Sequence, residues 1–165
     1  MSQAERLPFT QWASIHRTES FVSVEPLSGY RRSLREDVLH VIYLTREAND
    51  DMLGRALLEA LDRSRFIWPR NEPGFFKWQR FLQSDLNWQK DFMRRYGYKT
   101  KQDAYKNMNW CRAKRSEGTI SIQPHKRDKP EYWQNLPPGK TVSIPATEDA
   151  STVGVALRLA LDRCE

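Results

Sequence analysis

The chain has little of what most small-protein chemistries need. It holds two cysteines, three histidines and seven glycines in 165 residues. Cys111 and Cys164 form no Cys-x-x-Cys pair, so a zinc site is not indicated, and in a reducing compartment a structural disulfide is an unnecessary assumption. Two buried or partly buried thiols are the expectation. His16, His40 and His125 are isolated from one another, and neither a Gly-x-Ser-x-Gly nor a His-Glu-x-x-His pattern is present, which leaves catalysis without a motif. A dispersed carboxylate pair is the remaining route to an enzyme, yet Glu47, Asp50, Asp51, Glu148 and Asp149 sit where helix N-termini favour negative charge. No apolar stretch follows a basic start. The most apolar runs, residues 38–44 and 153–161, are short and interrupted by His40 and Arg158. Neither a signal peptide nor a membrane span is expected, and the chain is read as cytoplasmic, without cofactor or metal.

What is present is a near repeat at a spacing of 100 residues. Residues 54–63 and 154–163 agree at seven of ten positions, sharing the pattern Gly-x-Ala-Leu-x-x-Ala-Leu-Asp-Arg. Upstream, Val41, Ile42, Tyr43 and Leu44 in one copy and Val142, Ser143 and Ile144 in the other precede Asn49 or Asp149. One strand-turn-helix unit is thus written twice. Leu53, Ala56, Leu57, Ala60 and Leu61 fall at helical spacing, as do Val153, Ala156, Leu157, Ala160 and Leu161. Each set makes a narrow stripe of small residues and leucines suited to close packing on a sheet. Asn49 and Asp149 suit the N-cap, and Arg63 and Arg163 complement the dipole in the last turn. Asp62 and Asp162 suit that end less well, and a side-chain tie to nearby backbone is expected of them. Gly54 and Gly154 each cost a helix roughly 1 kcal/mol relative to Ala, which implies that the backbone there lies against something bulky. A phosphate-binding turn is the sharper reading, but no further glycine surrounds either position.

Between and around the copies the pattern is mixed. Residues 21–24 alternate as a first strand ending at Pro26, with a turn at Ser28, Gly29 and Tyr30, and residues 38–44 read as a second strand with one face of His40 buried. Residues 66–74 are rich in turn formers. From Phe75, Trp78, Leu82, Leu86, Gln89, Phe92, Met93 and Tyr96 follow a helical period that Ser84 and Asp85 could split, and Gly97 closes it. Thr100 and Asp103 resemble a capping box opening a short helix. Residues 109–114 and 119–123 read as a hairpin ended by Pro124. Residues 125–139 read as a loop, whose Tyr132 and Trp133 either meet a partner or fold back over the core. The 39% hydrophobic and 12% aromatic content is that of a folded protein. The expected architecture is a single mixed α/β domain over residues 1–165: a central, mostly antiparallel sheet with helices packed on it, two strand-turn-helix repeats, and residues 1–18 as a loosely ordered N-terminal segment.

The net charge of +6 is unevenly spread. Residues 1–70 carry 10 basic and 10 acidic side chains, residues 71–135 carry 14 and 7, and residues 136–165 carry 3 and 4. Lys90, Arg94, Arg95, Lys99, Lys101 and Lys106 are interleaved with Tyr96, Tyr98 and Tyr105. That mix can follow a phosphate backbone and stack bases, but it equally describes a solvated helix face, and no ribonucleoprotein-type motif frames it.

Four separated phrases carry a family likeness: residues 53–61 with Ser64 and Arg65, residues 96–101, Lys106-Asn107-Met108, and residues 154–164. Over residues 20–165 the chain resembles the immunity proteins of bacterial contact-dependent growth inhibition systems (CdiI type). The resemblance implies a cytosolic binder without catalysis, whose partner is a cognate toxin domain, commonly a nuclease, held 1:1 with its active site or substrate surface blocked. The shared phrases map onto caps, turns and core stripe, so specificity is expected in exposed loops and edges. A basic nuclease would be met by an acidic face, for which Glu36, Asp37, Glu47, Asp50 and Asp51 are candidates, whereas an acidic toxin would meet the basic central segment. Lys126, Arg127, Tyr132 and Trp133 are the loop candidates for toxin contact. A nucleic-acid-binding module using residues 90–106 is the alternative function, and a small enzyme the third.

Overall fold

A computed structural model describes residues 7–130 and 132–165. Its elements are β1 (Thr10–Arg17), β2 (Phe21–Gly29), β3 (Ser33–Arg35), β4 (Ile42–Thr45), α1 (Asp50–Arg63), α2 (Trp78–Tyr96), α3 (Lys101–Tyr105), β5 (Asn109–Ser116), β6 (Thr119–Lys129), β7 (Tyr132–Asn135), β8 (Val142–Pro145) and α4 (Ala150–Asp162). Four strands and a helix are followed, after the insertion that holds α2 and α3, by four strands and a helix. The pairing repeats as well as the order. β1 and β5 pair antiparallel at the centre with Ala13 opposite Ala113. β2 flanks β1 and carries β4 on residues 21–24 and β3 on residues 27–29. β6 flanks β5 and carries β8 on residues 119–122 and β7 on residues 125–129. The mixed α/β fold with a mostly antiparallel sheet is therefore present, and the repeat is larger than the strand-turn-helix unit read from the sequence.

Side chains alternate across the sheet. Ala13, Ile15, Val22, Val24, Cys111, Ala113, Ile120 and Ile122 form one core with the leucine and alanine stripes of α1 and α4. The two helices touch backbone to backbone at their glycines. A Cβ on Gly54 would lie 1.6 Å from the Ala150 carbonyl oxygen, and one on Gly154 would lie 1.7 Å from that of Asp50. Each copy's helix is thus the bulky neighbour of the other, and it fills the place a phosphate would need. Asn49 and Asp149 cap as expected, each accepting at 2.9 Å from the amide three residues on. Asp62 and Asp162 do not bond nearby backbone. They accept from Arg115 (2.7 Å) and Arg17 (2.9 Å) on the central strands, so each helix end is tied to the sheet by an ion pair.

The opposite face is covered by the insertion. Trp88 and Phe92 of α2 pack with Phe21, Tyr105 and Met108. α2 is not split: Ser84 donates to the Phe81 carbonyl at 2.8 Å within the helix. Gly97 ends it at φ 73°, in the left-handed region that glycine occupies without strain.

Four expectations are corrected. The first strand is β1, so Thr10–Arg17 stands at the sheet centre instead of in a loose N-terminal segment; residues 1–6 lie outside the described residues. Residues 38–44 divide into a 3-10 turn, Val38–His40, and β4, which leaves His40 exposed. Pro26 and Pro124 do not end their strands. Each occupies the gap where β2 or β6 changes its outer partner, so a missing N–H breaks no outer ladder there. Finally, much of residues 125–139 is not loop but the end of β6 and all of β7.

Candidate partner-binding surface

The acidic candidates are mostly spent on arginines. Glu36 accepts two bonds from Arg65, at 2.7 and 2.8 Å, and Arg65 also reaches Glu72 at 2.7 Å. Burial opposes the charge on Glu36, but Arg65 prevails and its carboxyl lies below its ordinary value. Asp37 caps the 3-10 turn by accepting from the Leu39 amide at 2.9 Å. At the start of α1, Asp50 accepts from Arg158 at 2.8 Å and Asp51 from Arg55 at 2.7 Å. Glu47 is exposed in the turn before α1. These five occupy two places, and only Glu47 and part of Asp37 present free carboxylate character.

The loop candidates lie on the β6–β7 hairpin. Lys126 is exposed, and Arg127 donates to the Tyr105 carbonyl while its backbone amide holds the Glu165 carbonyl at 2.8 Å. Tyr132 is 65% exposed. Trp133 folds back, its ring centroid 5.6 Å from that of Trp110. The nine candidates thus fall on three separate stretches of chain.

The tyrosines of the basic segment also turn inward. Tyr96 stacks on Phe21 at 4.5 Å, Tyr98 donates to Ser20 at 3.0 Å, and Tyr105 is buried. Arg94 and Arg95 both reach Asp91, at 3.1 and 3.5 Å. Among the described residues, the three tyrosines of this segment therefore offer these cations no exposed platform on which bases could stack.

Beneath α2, a cavity of about 280 Å³ is bounded by Ser14, His16, Arg35, Trp88, Arg112 and Trp133. The buried Arg35 bridges Glu25 (2.6 Å) and Asp85 (3.0 Å), and its guanidinium lies 4.5 Å from the Trp88 ring centre. Burial pushes the Glu25 carboxyl above its ordinary value against the pull of Arg35. Burial, with Arg35 and then His125, holds His16 well below 6.5, so its ring is neutral. His16 Nδ1, Trp88 Nε1 and Glu25 Oε2 have no partner among the described residues. The Ser14 hydroxyl accepts from Trp110 Nε1 at 2.8 Å. No group of three His, Cys, Asp or Glu among the described residues is placed to hold a metal ion.

The two thiols lie together, Sγ to Sγ 3.6 Å. Burial raises Cys111 well above its ordinary value, while the hydrogen bond with Cys111 lowers Cys164 to about 7.

Sequence reasoning passed over a second, wider concavity. It is about 770 Å³ and is lined by Tyr30, Arg31, Arg32, Trp68, Arg70 and Phe76. Gly29 joins the two contributing segments, exchanging backbone bonds with Arg65 (3.0 Å) and Ile67 (2.8 Å). The local signal was Tyr30-Arg31-Arg32 at a turn; Trp68, Arg70 and Phe76 come from a distant segment.

Comparison with known proteins accounts for this frame. A chain from Neisseria meningitidis, described as a protein of unknown function, superposes with a TM-score of 0.90 at 24% identity, covering 97% of this chain and 98% of its own, and shares the fold. A chain from the CdiA-CT/CdiI toxin and immunity complex of Yersinia pseudotuberculosis superposes with a TM-score of 0.88 at 29% identity, covering 95% and 98%. Immunity protein CdiI-YPIII of Yersinia pseudotuberculosis serotype O:3 (strain YPIII) is 32% identical across 93% of this chain and 95% of its own length. With the profile of the CDI immunity proteins matching residues 11–164, the chain belongs to the CDI immunity protein family, CdiI.

Proposed function

We propose that this protein is the cytoplasmic antidote to one contact-dependent growth inhibition toxin. It binds the toxin's C-terminal domain 1:1 and blocks that domain's active site or substrate surface, without catalysis of its own. The observation that carries this reading is the likeness, along nearly the whole chain, to a protein solved in a toxin and immunity complex. A nuclease is the toxin activity the reading favours. Tight neutralisation calls for an interface on the order of 1,600 Å² and an affinity of nanomolar or better. The fold suits such work: a frame closed on both faces of its sheet offers pre-organised loops and edges, which lowers the ordering cost of association.

The test is co-purification of the tagged protein with the C-terminal domain of the large secreted protein encoded immediately upstream, with growth scored when that domain is expressed alone and together with it. A stable 1:1 complex with growth rescue is the expected result. Absence of both overturns the reading for that pair, and assaying the purified toxin on DNA and RNA decides the nuclease component separately.

A further inference from the structure

We infer that the cup formed by Tyr30, Trp68 and Phe76, rimmed by Arg31, Arg32 and Arg70, docks an acidic segment of the toxin domain, seating one of its apolar side chains among the rings and its carboxylates on the guanidiniums. This rests on the reading above and names the surface and the partner chemistry.

The charge pattern is the first support. Arg17, Arg35, Arg55, Arg63, Arg65, Arg94, Arg95, Arg115 and Arg158 each have a carboxylate within 4.0 Å. Arg31 and Arg70 have neither an ion pair nor a side-chain hydrogen bond among the described residues, and both are exposed. Arg32 spends one nitrogen on the Phe76 carbonyl, at 3.2 Å, which fixes its fork at the rim. Five further arginines lack a carboxylate, but Arg46, Arg112, Arg127 and Arg163 bond neutral oxygens and the half-buried Arg80 lies over the Phe75 ring. Among the described residues, the exposed arginines left free of both kinds of partner are thus the two at this concavity.

Shape is the second. The cavity of about 770 Å³ lies within the ordinary size range of binding pockets. Its rings are held before any partner arrives: Tyr30 packs on Phe66 at 5.0 Å and meets Trp68 edge-on at 5.1 Å, 87° between planes. Pre-set aromatics beside arginine are the residue types that carry most binding energy at protein interfaces. A free inorganic anion would use the arginines but leave the rings wet, so the occupant needs both carboxylate and apolar parts.

The third support is exclusion. The face proposed for a basic toxin is neutralised internally at Glu36, Asp50 and Asp51, and the chain carries +6 overall, so a basic surface would be repelled more than steered.

The experiment is titration calorimetry of the upstream-encoded toxin C-terminal domain with wild type, with Arg31→Glu/Arg70→Glu, and with Lys90→Glu/Lys99→Glu, which makes the same change in net charge elsewhere. All four residues are exposed, so the variants should keep the wild-type Tm. The expected result is roughly 100-fold weaker binding for the first double variant, with most of the salt dependence lost, and a change within about threefold for the second. Equal binding by both variants overturns the inference while leaving the immunity function intact. So does a first variant that loses only the binding of a single-stranded oligonucleotide probe. Failure of the wild type to bind overturns the underlying reading instead.

Discussion

The two faces of this sheet are closed by different means. Under α1 and α4 the seal is two copies of one apolar stripe meeting at Gly54 and Gly154, and the buried groups there are almost all hydrocarbon. Under α2 the seal is a single insertion, rich in aromatic rings, laid over a sheet face that carries the buried Glu25, Arg35 and His16. The repeat face is stabilised by close contact and burial, so it is sensitive to added volume. The insertion face depends on charges that must remain paired, so it is sensitive to lost partners and to pH.

The sharpest contrast is expected at Arg35. Arg35→Ala leaves Glu25 buried without its cation and should cost about 3–5 kcal/mol in urea unfolding, whereas Glu25→Gln with Arg35→Met should recover much of that loss. On the repeat face, Gly54→Val and Gly154→Val should each cost about 3 kcal/mol or more, because both helices must move apart to admit a side chain. Unequal losses in that pair would break the symmetry drawn between the copies.

Acid should act mainly through the insertion face. His16 and His125 have folded values lowered by burial, so below pH 6.5 the unfolded chain takes up protons that the folded chain refuses. Their stabilisation is complete above that pH and is lost as pH falls through the folded values, by as much as about 1.4 kcal/mol per pH unit for each group. Glu25 acts with the opposite sign. Its raised value favours the folded state in acid, below its ordinary 4.5, and that contribution is lost as pH rises through the folded value. His16→Leu should therefore flatten the slope of unfolding free energy between pH 7 and about pH 5, and an unchanged slope would remove His16 from the account.

A smaller effect is expected at the cap. Asn49→Ala removes one acceptor from the start of α1 and should cost about 1 kcal/mol by the same urea measurement. The thiols should differ in rate more than in stability. Cys164, lowered to about 7, should react with iodoacetamide at neutral pH while Cys111, buried behind it, reacts only on unfolding, as peptide mass mapping would read.

Much of the repeat face, and the end of α2, was legible from residue order. A helical stripe, an Asn or Asp cap and a left-handed Gly97 each depend on neighbours within about one helical turn, and such patterns are written locally. β1 was not legible. Thr10–Arg17 sets Trp12 and Ile15 three apart among small and polar residues, with no two-residue alternation, and its burial comes from β2 and β5 on either side and helices on both faces. The prolines misled for a similar reason: whether a strand tolerates the missing N–H depends on which partner stands beside it. Which charges stand free was not legible: of the acidic candidates, Glu36, Asp50 and Asp51 are partners of Arg65, Arg158 and Arg55, pairings that only the folded chain makes.

Residue order alone carried the mixed α/β class, the doubled helix with its caps, the basic balance and, through four phrases, the family. Folding was needed to bring the doubled helices together at their glycines, to anchor Asp62 and Asp162 to the central strands, and to set Arg31, Arg32 and Arg70 around one cup with Tyr30, Trp68 and Phe76. The division follows the range of the interactions. Backbone preference and amphipathic period act between near neighbours, while ion pairing, burial and surface shape join residues that meet only once the chain has folded.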